Sequence, residues 1–142
     1  MAGVFVDSGV FVALANEDDR DHAAARELAD RIRRGELGKP CTSDFVFDEV
    51  VTASLIRTKS PDKAIRAGAL ILGSEERSFR PLVELVEVGG TAFSRAWEAF
   101  RSKKHPRLSF TDHTILAQMN EVGLEYLASF DSGFDGLVKR VS

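Results

Sequence analysis

An alternation constrains this chain more than any other feature. Short apolar runs take turns with stretches of helical periodicity. Gly3-Val4-Phe5-Val6 reads as a buried strand that stops at Asp7, and Val10 to Ala15 continues apolar as a first short helix. Asp21 to Arg34 is amphipathic, with Ala24, Leu28 and Ile32 recurring every four residues and Gly35 placed to end the helix. Lys39 to Ser43 predicts a strand, Phe45 to Thr58 an apolar helix, and Pro61 to Leu72 a helix with proline in its first turn. Leu82 to Val88 predicts a third strand. Thr91 to Lys104 and Ser109 to Val122 predict two more helices, the second stopped by Gly123. Leu124 to Ser129 predicts a fourth strand, and Phe130-Asp131-Ser132-Gly133 after it is turn chemistry.

Strands that alternate with helices predict an α/β chain, three layers deep, with a mainly parallel central sheet between helices. In such folds ligands bind beyond the carboxyl ends of the strands, near a switch in strand order. Asp7 and Asp131 both follow predicted strands directly, which places them at that edge. No repeat, linker or low-complexity segment divides residues 1–142, so one domain is expected. A chain of this length buries roughly 68–70% of the surface its unfolded form exposes. It needs neither disulfide nor metal to hold a core.

Composition excludes several classes. Hydrophobic residues at 44% and charged residues at 29% rule out a disordered, collagen-like or disulfide-rich chain. The longest apolar run, Val10 to Ala15, has six residues, against the ~20 of a membrane span, and no basic segment of a secretory signal precedes it. The single cysteine, Cys41, reads as a small buried hydrophobe, and a reducing cytoplasm is the expected setting. Net charge is −3, from 19 basic and 22 acidic residues. That argues against nucleic-acid binding by bulk charge, but not against a local basic rim or bound metal ions. Basic residues gather at Arg31-Arg33-Arg34, at Arg57-Lys59-Lys63-Arg66 and at Arg101-Lys103-Lys104-Arg107. Each reads first as a solvated helix face; the sharper reading is that one or two of these clusters rim the acidic pocket and hold a phosphate backbone. The last, just before the Asp112 segment, is the best placed to rim a site.

Four acids fall where a carboxylate is not expected. Glu49 shares a helix face with Phe45, Ala53 and Ile56, all apolar, whereas Asp48 lies on the polar stripe of Asp44 and Thr52. The bland alternative for Glu49 is a helix-boundary residue paired with an arginine. Asp112 shares a face with Ile115, Leu116 and Met119, but Ser109-Phe110-Thr111-Asp112 also has capping-box spacing. The two roles are compatible. Asp7 ends a buried strand, with a helix cap as the alternative, a role open equally to Ser8. Asp131 is either a site residue or a turn cap, and Asp135 either supports it or is simply exposed. Gathered carboxylates raise one another's pKa unless a cation neutralises them. A pocket of carboxylates without clustered His and Cys points to Mg²⁺ or Mn²⁺ rather than zinc.

Other candidates are weaker. His22, His105 and His113 are scattered, and His113 falls off the apolar stripe of its helix, so it is expected to be exposed. Neither a Gly-x-Gly-x-x-Gly nor a P-loop occurs. Phe93, Trp97 and Phe100 have helical spacing and read as core rather than as a base-stacking platform.

These blocks together resemble the PIN-domain ribonucleases, and most closely the VapC-type toxins of prokaryotic toxin–antitoxin pairs. The resemblance runs from about Gly3 to Val138. Val4-Phe5-Val6-Asp7-Ser8-Gly9-Val10 resembles the family's strand, aspartate and apolar helix, and Asp21-His22-Ala23-Ala24-Ala25 its second-helix start. Ser43-Asp44-Phe45-Val46-Phe47-Asp48-Glu49-Val50 is similar to the segment with the family's glutamate, and Ser109-Phe110-Thr111-Asp112-His113 to that with its third acid. Ser129-Phe130-Asp131-Ser132-Gly133-Phe134 resembles the closing segment with the fourth. The resemblance selects Glu49 over Asp48, as the helix-face reading does.

The resemblance implies that Asp7, Glu49, Asp112 and Asp131 are the catalytic, metal-holding residues, with Mg²⁺ or Mn²⁺ as cofactor. It implies in-line hydrolysis of RNA phosphodiester bonds, with Ser8 and Thr111 orienting the carboxylates. It also implies a homodimer and a cognate VapB-type antitoxin protein. Competing readings are a housekeeping RNA-processing PIN nuclease and a non-catalytic PIN-like binding module. A phosphotransferase of the haloacid dehalogenase kind wants a second aspartate two residues after the first, where this chain has Gly9.

Overall fold

The computed structural model describes residues 3–142. The first strand, β1 (Gly3–Val6), is buried at every position, because helices cover both faces of the sheet it centres. On one side lie β2 (Lys39–Ser43) and then β3 (Glu84–Val86). On the other lie β4 (Tyr126–Ala128) and β5 (Lys139–Val141). The order is β3-β2-β1-β4-β5 and every pairing is parallel. The chain steps outward from β1 through β2 to β3, then returns to the far side of β1. That reversal puts the switch in strand order between β1 and β4, where the carboxyl ends open a crevice.

Helices α1 (Ser8–Ala15) and α2 (His22–Arg33) connect β1 to β2. Helices α3 (Asp44–Thr58) and α4 (Pro61–Leu72) connect β2 to β3, and α5 (Gly90–Arg101) and α6 (Phe110–Val122) connect β3 to β4. Helix α1 packs on α2, α3 and α4, while α5 packs on α6. The result is the expected α/β/α arrangement with a parallel sheet. Its core holds Phe5, Phe11, Leu28, Ile71, Ile115, Leu127 and Phe134, all fully buried. Each such side chain contributes roughly 1.5–3 kcal/mol of burial free energy. Cys41 is buried as expected, and burial pushes its thiol up to about 11, so it is an unreactive packing residue. Among the described residues no helix is long and apolar enough to cross a membrane.

The boundaries differ from the sequence reading where caps or short strands decide them. Helix α1 starts at Ser8, not Val10, because the Asp7 side chain accepts the Ser8 N–H at 2.8 Å. Strand β3 keeps only three residues, although Leu82 and Val83 before it join the core. Strand β5 was not expected, since three residues carry no readable period, whereas the turn expected after β4 is the 3₁₀ turn Ser132–Phe134. No α-helix joins β4 to β5. Arg140 fastens that connection instead, donating to the Ser129 carbonyl at 3.0 Å and to both oxygens of Asp135 at 2.6 and 3.1 Å. Asp135 is thereby a structural partner of Arg140, and that guanidinium holds its carboxyl below the usual range.

Two expectations are corrected. Phe93, Trp97 and Phe100 are not core: they stand 47%, 49% and 41% exposed on the outer face of α5. Helical spacing puts them on one face, which Phe45 of α3 and Phe110 of α6 meet but cover only in part. His113, expected at the surface, is 2% exposed. Its Nδ1 donates to the Ser109 carbonyl at 2.8 Å, and its ring meets Phe100 edge-on at 5.7 Å, so α5 covers the side of α6 that the stripe left polar.

Candidate active site

All four acids singled out by sequence line one cavity of about 710 Å³ at the carboxyl edge of the sheet. Each arrives there through an ordinary folding signal. Asp7 follows β1 and caps α1. Glu49 lies in the second turn of α3, whose start is capped by Ser43. Asp112 closes a capping box with Ser109: its Oδ2 accepts the Ser109 N–H at 2.9 Å, and its own N–H donates to Ser109 Oγ at 3.0 Å. Asp131 follows β4 by way of Ser129 and caps the 3₁₀ turn, accepting the Gly133 N–H at 2.8 Å. Cap and site residue are one and the same at Asp7 and Asp131, and Asp112 is the third helical residue of a capping box closed on Ser109.

Asp7 is the best held. It is 6% exposed, and Oδ2 accepts the Ser129 hydroxyl at 2.7 Å while Oδ1 takes the Ser8 N–H. Ser129 Oγ also accepts the Asp131 N–H at 3.0 Å, so one serine ties two of the acids together. The pairing of Val6 with Ala128 carries Asp7 and Ser129 side by side off the ends of β1 and β4. Thr42 Oγ1 donates to the Val6 carbonyl at 2.8 Å and anchors β1 just before Asp7. Ser8 Oγ donates to Glu49 Oε1 at 2.5 Å, which links α1 to α3 as the sequence reading expected.

Two parts of that reading change. Glu49 does not lie on the core face of α3, which is made by Val46, Val50 and Ser54; Ile56, its expected apolar companion, is 69% exposed. Glu49 is half-buried because the cavity, not the core, lies beside it, while Asp48 is exposed as expected. Thr111 orients none of the carboxylates through the hydrogen bonds of the described residues; its carbonyl accepts the Thr114 hydroxyl at 2.6 Å. Ser109 and Ser129 take that role. Ser129 was open to inference from the parallel alignment of two strands ending in Val6-Asp7 and Ala128-Ser129, but only once β1 and β4 are known to be neighbours. Asp135 does not line the cavity.

Electrostatics agree with crowding. Burial pushes Asp7 up to about 6, against the lowering by its Ser129 and Ser8 hydrogen bonds, and the charges of Asp112 and Glu49 push it further. Burial likewise raises Glu49 and Asp112; Asp112 adds to the rise at Glu49, and Asp131 to that at Asp112. Asp19 and Asp21, from the α1–α2 connection, bring the lining carboxylates to six, against two cations, Arg20 and Arg57. The third basic cluster, Arg101 to Arg107, does not line the cavity.

This donor set fits a hard divalent cation. Every lining donor with a raised pKa is a carboxylate oxygen, and no histidine or cysteine lines the cavity. Among the described residues no three His, Cys, Asp or Glu side chains are drawn close enough to grip an ion alone.

Residues 4–139 match the PIN domain family model. The chain belongs to the PIN domain family. Among its relatives, the 23S rRNA-specific endonuclease VapC20 of Mycobacterium tuberculosis is 29% identical over 134 residues, spanning 92% of this chain and 91% of that one. The crystal structure of M. tuberculosis VapC20, described as a sarcin–ricin loop cleaving toxin, superposes with a TM-score of 0.77 at 26% identity, covering 94% of each chain. Two more distant structures share the PIN fold. VapBC2 from Rickettsia felis, bound to a DNA fragment from its promoter, gives a TM-score of 0.66 at 10% identity over 99% of both chains. FitAcB from Neisseria gonorrhoeae gives 0.62 at 14% identity over 98% and 96%.

The raised pKa of Asp7 makes stability depend on pH in a definite direction. Its folded value, about 6, exceeds the ordinary 3.8, so the cost of ionising it is absent below 3.8, grows between the two values and is complete above about 6. At about 1.4 kcal/mol per pKa unit that cost is on the order of 3 kcal/mol. In EDTA, the Asp7→Asn variant is therefore expected to melt above the parent at neutral pH, with the gap closing in acid. An asparagine amide can donate to Ser129 Oγ, so the site keeps its hydrogen bonds. An equal or lower melting midpoint for the variant at neutral pH would count against carboxylate crowding.

Proposed function

We propose that this PIN-domain chain is a metal-dependent endoribonuclease that hydrolyses RNA phosphodiester bonds, and that it is the toxin of a type II toxin–antitoxin pair. The observation that carries the reading is the convergence of Asp7, Glu49, Asp112 and Asp131 on one cavity, at the strand switch of a fold shared with the VapC20 endonuclease. Asp7, Glu49, Asp112 and Asp131 would hold one or two Mg²⁺ or Mn²⁺ ions. Bound there, the cation supplies Lewis-acid chemistry, acidifying a water and offsetting charge on the scissile phosphate.

The chain's own contribution is position and charge. Asp7 and Asp131, joined through Ser129, present oxygens from the β1 and β4 ends. Glu49, joined to Ser8, and Asp112, clamped by Ser109, present theirs from α3 and α6. Asp7, Glu49 and Asp112 are each held by a hydrogen bond that also favours the charged form, so the site is preorganised for a cation. The reaction needs no covalent enzyme intermediate. Water adds to phosphorus and the 3′ oxygen leaves, giving 5′-phosphate and 3′-hydroxyl ends.

The exposed face of α5 supports the proposed homodimer. Phe93, Trp97 and Phe100, with Phe45 and Phe110 at ring distances of 5.2 to 6.4 Å, make a large aromatic surface of the kind that marks a protein interface. A VapB-type antitoxin is the proposed second partner, in keeping with the toxin reading and with VapBC2 as a structural neighbour. The proposed setting is the cytoplasm.

Three measurements test this. Purified chain incubated with total cellular RNA in Mg²⁺ or Mn²⁺ is expected to give discrete new 5′ ends, absent with EDTA and with Asp7→Asn; cleavage by Asp7→Asn at the parent rate would sink the metal assignment. Removing the Ser129 hydroxyl removes a bond that lowers Asp7, so Ser129→Ala is expected to move the acidic limb of the rate profile to higher pH. Light scattering is expected to give twice the chain mass for the parent and the single mass for Trp97→Asp. A monomeric parent would refute the dimer.

A further inference from the structure

The cavity has an unresolved charge problem that its carboxylates and a metal ion do not solve. A strand of RNA brings one negative charge per phosphate, and the phosphates flanking the cut must also pass walls lined by six acids. One or two divalent cations held by Asp7, Glu49, Asp112 and Asp131 would offset the charge of the scissile phosphate alone. The two lining cations, Arg57 and Arg20, are the only fixed positive charges among the residues lining the cavity.

Arg57 is the better built of the two. It sits in the last turn of α3, eight residues beyond Glu49, which is on the order of 12 Å along the helix axis. Helical side chains lean toward the N-terminus of their helix, so the long Arg57 side chain leans back along α3, and it lines the same cavity as Glu49. The bland role for such a residue is to offset the helix dipole, worth roughly 0.3–1 kcal/mol. That role does not explain its place in the cavity lining. Many cations of this chain lie within reach of a carboxylate: Arg31 and Arg34 at Glu36, Lys39 at Glu84, Arg140 at Asp135. Arg57, an exposed residue, has no such partner among the described residues, and neither have Arg26, Arg66 and Arg95; what sets Arg57 apart is that it lines the cavity with six acids. Arg20 meets only its neighbour Asp21, at 3.7 Å, and its side chain is 93% exposed.

We propose that Arg57 binds a backbone phosphate of the RNA flanking the one that is cut, with Arg20 as a weaker second contact. The inference rests on the nuclease reading for its ligand. A guanidinium stays charged at every working pH and presents a planar fork that matches two phosphate oxygens. The distance along α3 sets the contact beyond the scissile group. Arg57 is therefore a positioning residue that holds the strand in register over the carboxylates, and it touches no reacting atom. The contact is to the backbone, so it does not discriminate between bases.

Arg57→Gln, Arg57→Lys and a control, Arg34→Gln at the opposite end of the sheet, distinguish this from a structural role. Anisotropy of a labelled mixed-sequence oligoribonucleotide in Ca²⁺ reads binding apart from cleavage. Arg57→Gln is expected to bind roughly tenfold more weakly, the loss of one charge-assisted contact. Its dependence of log affinity on log salt is expected to be shallower by about 0.7, one phosphate on a single strand. Arg57→Lys is expected to keep the parent slope with partial affinity, and Arg34→Gln to match the parent in both. In Mg²⁺ cleavage assays Arg57→Gln is expected to raise KM with kcat nearly unchanged. Equal affinity and slope in parent and Arg57→Gln overturns the inference, whatever the cleavage result. A fall in kcat alone also overturns it, because that signals a disturbed reacting centre. A parent that binds RNA through Arg57 but cuts none overturns the nuclease reading and leaves the phosphate contact standing.

Discussion

The site depends on one buried carboxylate. Asp7 stands where the two central strands end, gripped by the Ser8 N–H on one oxygen and the Ser129 hydroxyl on the other. An unpaired carboxylate is costly to bury, and neither bond brings a positive charge. The cost is tolerated because a parallel sheet, wrapped on both faces, has an obligatory opening only at its strand ends. Around that point the structure gathers Glu49 through Ser8, and Asp131 through Ser129. The site is therefore an arrangement of like charges held together by hydroxyls and amides. It is a poor arrangement for stability and a good one for attracting a cation.

Helix starts make this arrangement feasible. In each β–α step the strand's carboxyl end leads into a helix N-terminus, so α1 and α3 begin at the cavity edge, and the capped start of α6 lies there too. The partial positive charge of each N-terminus faces the acids and offsets some of their repulsion. This is why capping and chemistry do not compete for Asp7, Asp112 and Asp131. A cap needs a short side chain with an acceptor oxygen at the helix entrance, and a hard cation needs oxygen ligands in the same place.

The aromatic face shows the opposite case, in which a pattern was right and its meaning was not. Phe93, Trp97 and Phe100 do form a helical stripe, and Phe45 and Phe110 join it from α3 and α6. Such a stripe buries itself fully only if some element lies over it, and here the rings of Phe45 and Phe110 meet it at one side and leave the rest exposed. His113 took the complementary fate. It was judged by its own helix, yet Phe100 of α5 covers it. Burial of a helix face is settled by its neighbours, which periodicity within one helix does not contain.

By itself the sequence determined the alternation of strands and helices, the parallel sheet, and the four acids with their flanks. Those follow from local signals: period, caps, and carboxylates at strand ends or on apolar faces. Tertiary structure decided what depends on which elements meet. It made Ser129 rather than Thr111 a partner of the carboxylates, because β4 lies beside β1. It bound Asp135 to Arg140 through a three-residue edge strand too short to be read. It placed Arg57, not the basic run nearest Asp112, in the cavity, because an arginine's reach is set by its helix in space and not by its distance along the chain. Local free energies choose the elements, and long-range packing chooses their neighbours. A site built at the ends of several elements is therefore legible in its acids and hidden in what surrounds them.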